Sequence, residues 1–143
     1  MDAIDRHIIA LLREDARASY AEVGGHVGLS APAVKRRVDR LRADGVISGF
    51  TAIVDPAALG WTTEAFVEVI CESKTTLDEL RHSLADRPEI VAAYSVSGDA
   101  DALLHLRASN VPHLEDVIEG LRADVKVART RTEIVLSRLV ERG

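Results

Sequence analysis

Five cationic side chains, Lys35, Arg36, Arg37, Arg40 and Arg42, fall between Ser30 and Arg42 against a single carboxylate, Asp39. The chain around them has 143 residues and a net charge of −5. So local a reversal of charge calls for a polyanion, because cations set against phosphates gain both attraction and the release of condensed counterions. In the same stretch Val34, Val38 and Leu41 recur at i, i+4 and i+7. One helical face is therefore apolar and must pack, which leaves the other to the anion. Ser30 is placed to cap this helix, Pro32 fits its first turn, and Gly45 is placed to end it.

With 34, 38 and 41 inward, positions 33, 36, 37 and 40 point outward, so Arg36, Arg37 and Arg40 are the candidates for base edges or phosphates. Lys35 and the helix start at Ser30, Ala31 and Pro32 fall near the phosphate backbone. Arginine serves on guanine and on phosphate alike, so base reading is assigned to the group rather than to one residue. The competing reading is a solvated face on a small helical bundle. The scarcity of opposing carboxylates and the glycine-containing turn before the helix favour double-stranded DNA as partner.

The elements that must position this helix are legible upstream. Ile4, Ile8, Leu11 and Leu12 follow a 3.6-residue period after Asp2 and predict a first helix. Ser19 and Glu22 form a capping box for a short second helix carrying Tyr20, Val23 and Val27 and ending near Gly28. A corner at Val27-Gly28-Leu29-Ser30 then leads into a third helix over 31–44. Three short helices with such a corner are a helix-turn-helix layout, winged-helix-like, covering 1–47.

With 47% hydrophobic and 29% charged residues the chain can bury a core, as one domain or two small ones. Residues 1–50 carry eight basic and seven acidic side chains, residues 51–143 ten and sixteen, which suggests two domains with different tasks. No apolar run approaches the roughly 20 residues that span a bilayer, and MDAIDRH lacks the layout of a signal peptide, so a cytoplasmic protein without membrane partners is expected. A lone cysteine, Cys71, excludes an internal disulfide and a thiolate metal cluster; its place on the face of Ala65, Val67 and Val69 predicts a buried small hydrophobe.

Residues 48–62 read as a linker, an alternating β-prone strand over 48–54 followed by a turn at 57–60. Beyond it, 64–72 alternates strictly as a first strand, and Thr76 and Glu79 cap a helix bearing Leu77, Leu80 and Leu84. A second strand over 91–96, a Ser97-Gly98-Asp99 turn, a third strand over 101–108, a helix with Leu114, Val117, Ile118 and Leu121, and a fourth strand over 127–139 complete β-α-β-β-α-β. The fold class is thus α+β, with a ferredoxin-like domain at 63–143. Two helices cover one sheet face. The other carries Glu64, Phe66, Glu68, Ile70, Leu103, His105, Arg107, Arg129, Arg131 and Val135, a mixture that suits a self-complementary dimer interface.

Taken together, several segments make the chain resemble the Lrp/AsnC (leucine-responsive, feast/famine) regulators of bacteria and archaea over nearly its full length. These are Asp5-Arg6, Val27-Gly28-Leu29-Ser30, Arg36-Arg37-Val38 with Arg40-Leu41, Gly45-Val46-Ile47, Gly49-Phe50-Thr51-Ala52, residues 96–101 and Thr130-Arg131-Thr132. The resemblance implies a sequence-specific DNA-binding transcriptional regulator that forms dimers through the sheet and commonly an octamer, a ring of four dimers. It also implies an amino-acid effector bound at dimer–dimer contacts, modulating assembly and DNA affinity, with no cofactor.

On this resemblance the effector residues would be Ser97, Gly98, Asp99, Ala100 and Asp101, together with Glu133, Ile134 and Val135 in the last strand. Carboxylates can hold an ammonium and backbone N–H groups at a glycine turn can receive a carboxylate. The same Ser-Gly-Asp turn is also accounted for as a plain hairpin turn. Glu133 departs from what a leucine-like effector would favour and predicts a polar or basic amino acid.

Two other classes compete. Siroheme decarboxylases share this two-domain architecture, but His7, His26, His82, His105 and His113 are scattered without His-x-x-x-His or Glu-x-x-His spacing, so neither a metal site nor catalysis is expected. A non-DNA-binding assembly module is opposed by the cationic helix.

Overall fold

The computed structural model describes residues 1–72, 75–124 and 127–140; residues 141–143, the end of the expected 63–143 domain, lie outside the described residues. The chain divides into two compact units, one of them Met1–Ile53 and the other beginning at Val54.

The first unit is three helices: α1 (Ala3–Glu14), α2 (Tyr20–Val27) and α3 (Ala31–Ala43). Asp2 and Asp5 close a reciprocal capping box on α1, and Ser19 and Glu22 do the same on α2. Each box satisfies amide groups that the first helical turn leaves without partners. Ile8, Leu12, Val23, Val34 and Val38 form the core, with Ile47 returning onto it from beyond α3.

The second unit runs β1 (Thr63–Cys71), α4 (Leu77–Ala85), β2 (Ile90–Ser95), β3 (Ala102–Ala108), α5 (Val111–Asp124) and β4 (Val127–Ile134), after a single 3-10 turn at Pro56–Leu59. The sheet order is β2-β3-β1-β4, all pairs antiparallel, which is the ferredoxin-like α+β arrangement. Ala65, Val67, Val69, Leu104 and Leu106 face the helices and meet Leu80, Leu84, Leu114, Val117 and Leu121. The alternating residues form an open face.

Three expectations need correction. Residues 48–54 form no strand, because no strand among the described residues offers them a ladder, and Ile53 stands almost wholly exposed. β4 ends at Ile134 rather than 139: Val135 still donates its amide to the Glu64 carbonyl at 2.8 Å, but β1 begins at Thr63 and offers no further partners. Cys71 is half-buried rather than buried, since the register shifts between Ile70 and Cys71 at the end of β1. Burial, followed by the nearby Asp101 charge, pushes its thiol above the usual range.

Candidate functional site

The helix-turn-helix corner depends on close backbone approach. The Leu29 amide donates to the Gly24 carbonyl at 3.0 Å, and Gly28 takes the left-handed conformation with φ of 70°. A Cβ on Gly24 would lie 2.3 Å from the Leu29 carbonyl oxygen, so only glycine fits inside α2 at this position. The sequence reading missed this residue. A glycine in mid-helix, paid for in helix propensity, was the available signal.

On α3, Val34, Val38 and Leu41 are buried as expected, and Ser30 caps the helix by accepting from the Ala33 amide. Pro32, Lys35, Arg36, Arg40 and Arg42 are exposed, whereas Ala31, Ala33 and Arg37 are half-buried. The cations are not left unopposed. Arg37 Nη1 donates to Asp2 at 2.7 Å and to Asp5 at 2.8 Å, and Arg40 Nη2 donates to Asp5 at 3.0 Å. Lys35 pairs with Asp39 one turn away, and the Arg42 guanidinium lies 6.0 Å from the centre of the Phe50 ring.

Asp5 is completely buried and was not anticipated as part of the site. Its carboxyl is held below the usual range first by the Asp2 backbone N–H and then by Arg37. Arg37 holds the Asp2 carboxyl down at about 2. Arg37 thus fastens α3 to the start of α1. Arg40 is tethered at one nitrogen while its side chain remains 54% exposed, and Arg36 is exposed with no ion-pair partner among the described residues. Lys35 and Asp39 are both largely exposed, so their pair is weak and exchangeable for a phosphate.

The effector residues fall into two groups. Gly98 has φ of 117°, which only glycine adopts without strain, so residues 97–101 form a tight turn. Asp101 clasps the end of β1: its amide donates to the Val69 carbonyl at 2.9 Å and its carboxylate accepts from the Cys71 amide at 2.7 Å. Asp99 and Glu133 both lie near Arg131, whose guanidinium is raised first by its bond to Glu68.

Glu133 pairs with Phe66, Ile134 with Ala65, and Val135 reaches the Glu64 carbonyl. Val69 and Glu64 stand five residues apart on β1, roughly 16 Å at the rise of a strand, and the two groups flank β1 from opposite sides. Within one chain Ser97, Gly98, Asp99, Ala100 and Asp101 thus approach β1 from one edge and Glu133, Ile134 and Val135 from the other, with Arg131 within electrostatic reach of both Asp99 and Glu133.

The open sheet face carries Phe66 stacked on His105, centroids 4.8 Å apart and planes 13° off parallel. Glu64 accepts from His105 Nε2 and from Arg138 at 3.0 Å, and Glu68 accepts from Arg131 Nε at 2.7 Å. Partial burial pushes the Glu64 carboxyl up, but Arg138 and His105 outweigh it and hold it below the usual range. Among the described residues no three His, Cys, Asp or Glu side chains gather as a metal site would require.

Residues 1–42 match the AsnC-type helix-turn-helix domain and residues 64–143 the Lrp/AsnC ligand binding domain. The chain is 48% identical over 142 residues to the HTH-type transcriptional regulator Rv2324 of Mycobacterium tuberculosis, covering 99% of this chain and 96% of that protein. It is 36% identical to the HTH-type transcriptional regulator FL11 of Pyrococcus horikoshii, covering 95% and 89%. Among solved structures, the feast or famine regulatory protein Rv3291c of M. tuberculosis, complexed with L-methionine, superposes with a TM-score of 0.91 at 34% identity over 98% of this chain and 95% of that one. Two domain matches that together span almost the whole chain, and relatives sharing it from end to end, place this chain in the Lrp/AsnC family of helix-turn-helix transcriptional regulators.

Proposed function

We propose that this protein recognises specific DNA sequences through α3 and that an amino-acid effector controls its assembly and its affinity for DNA. The observation that carries the DNA reading is the exposed cationic surface of α3, with Arg36 outward and the Arg37–Asp5 lock behind it. Ser30, Ala31, Pro32, Lys35, Arg36 and Arg40 would contact the groove, with Arg37 setting the helix rather than touching DNA. Dimers formed through the open sheet face would place two copies of α3 in successive major grooves, and four such dimers would complete an octamer. Such a protein works where the DNA is, in the cytoplasm. The named relatives are transcriptional regulators, which supports this reading over catalysis.

The effector reading draws on the relative complexed with L-methionine. With 97–101 and 133–135 along opposite edges of β1, an effector site at contacts between copies, as the family resemblance implies, would couple binding to assembly. Glu133, exposed and opposite Phe66, favours an effector with a polar or basic side chain.

Fluorescence anisotropy with operator DNA across a salt series tests both parts. Affinity should fall steeply with salt, and Arg36→Ala should flatten the log–log slope by about one, the loss of one phosphate contact. A salt-independent affinity, or a slope unmoved by Arg36→Ala, rejects the assignment. Repeating the titration with each of the twenty amino acids should shift affinity for at least one. No shift with any of them rejects the effector reading.

A further inference from the structure

Arginine serves guanine and phosphate alike, and the surroundings of Arg36 and Arg40 separate the two uses. Arg36 is exposed and has no ion-pair partner among the described residues, so its guanidinium is free to follow a phosphate wherever the backbone runs. Arg40, one turn further along α3, is held. Its Nη2 donates to Oδ1 of Asp5 at 3.1 Å and to Oδ2 at 3.0 Å, although the side chain is 54% exposed.

Asp5 does not need this bond. Arg37 already donates to its Oδ1 at 2.8 Å and the Asp2 amide to its Oδ2 at 2.9 Å, so each oxygen of the buried carboxylate has a donor before Arg40 is counted. What the third donor changes is Arg40 itself, a long exposed side chain pinned at one nitrogen to a carboxylate that two other bonds anchor. The planar fork of an arginine carries five N–H donors, and Nε and Nη1 of Arg40 make no hydrogen bond to the described residues. Donors of fixed direction suit the paired acceptors, N7 and O6, that guanine presents in the major groove. A guanidinium held before binding also loses less freedom on making that contact.

We propose that Arg40 is the base-reading arginine of α3, aimed at a guanine by Asp5 as its positioning residue, while Arg36 is left to phosphate. The assignment rests on the DNA reading above and narrows it from a group of arginines to one. Asp5 is completely buried, so it acts through Arg40 and touches no DNA itself.

Duplexes are enriched from a random pool with the full-length parent protein, and each guanine of the enriched motif is replaced in turn by 7-deazaguanine, which pairs normally but lacks the N7 acceptor. At one position the replacement should weaken binding by the parent about tenfold. Arg40→Ala should bind the natural motif about tenfold more weakly, and there the same replacement should have no further effect. Arg36→Ala should instead weaken all duplexes alike and reduce the salt slope by about one. Asp5→Asn should lose most of the discrimination at the Arg40 position with the salt slope unchanged, which a merely structural role would not produce.

Should Asp5→Asn fail to fold by circular dichroism, nitrogen relaxation of the arginine Nε–H groups, measured by NMR on the free parent, takes its place: Arg40 should be as ordered as Arg37 and more ordered than Arg36. The base assignment is overturned if no guanine replacement is silenced by Arg40→Ala, or if that variant weakens all duplexes alike with a smaller salt slope. An Arg40 as mobile as Arg36, or an Asp5→Asn protein equally weakened on every duplex, overturns the role of Asp5. A pool that yields no preferred motif rejects the sequence-specific reading itself and this proposal with it.

Discussion

Asp5 is the one fully buried ionisable side chain among the described residues, and it divides the cations of α3 between two tasks. Arg37, with a side chain 25% exposed and bonded to two carboxylates, is spent on holding α1 against α3; Arg36 and much of Arg40 remain for a ligand. The cluster gives the first unit an acid sensitivity of definite sign. The Asp2 carboxyl, near 3.8 when free, sits at about 2 in the fold because Arg37 binds its charged form. A depressed folded pKa stabilises above the free value, so the contribution is complete above about pH 4 and is lost as pH falls towards 2. Asp5 is lowered too and acts in the same sense. Acid titration followed by far-UV circular dichroism should show Arg37→Leu losing helix at higher pH than the parent chain; an unmoved midpoint would show that the cluster does not stabilise the unit. Residues 2 and 5 were not visible as partners of residue 37 because more than thirty residues intervene. The caps Ser19, Ser30 and Thr76 were visible, since each acts on an amide three residues away.

At the scale of elements, the strand most exposed to argument is β1, central in the sheet with β3 on one side and β4 on the other. Its alternation was legible because one face is buried by helices and the other is not. The segment at 48–54 has the same alternation but meets no ladder among the described residues, and pattern alone does not create a partner. On the open face Phe66 lies between the Glu64–Arg138 and Glu68–Arg131 pairs and stacks on His105. An aromatic ring flanked by carboxylates, Glu64 and Glu68, that are already paired within the chain is suited to desolvation against a second copy. Phe66→Lys should therefore weaken dimerisation by about 30-fold or more, a loss of about 2 kcal/mol as for an interface hot spot. Sedimentation should show monomer at concentrations where the parent is dimeric, with circular dichroism unchanged; an unaltered mass would place the dimer contact elsewhere.

For the whole molecule, the two units own separate cores of unequal size. Among the described residues six buried hydrophobic residues hold the three-helix unit, twelve hold the sheet unit, and a large buried aliphatic side chain contributes about 1.5–3 kcal/mol. The charge asymmetry between residues 1–50 and 51–143 anticipated this division, though not the inequality, which depends on which apolar residues meet in space. Two cores without shared buried members need not unfold together. Among the described residues three of the five α-helices belong to the first unit, so far-UV circular dichroism weights it, whereas Trp61 reports only on the second. In urea, ellipticity should begin to fall at lower denaturant than the change in Trp61 emission, with part of the signal remaining until the second transition. Operator DNA should move the first transition to higher urea and leave the second nearly in place, because a ligand stabilises the unit that binds it. Coincident curves by both probes, with and without DNA, would mean that the two units fold as one.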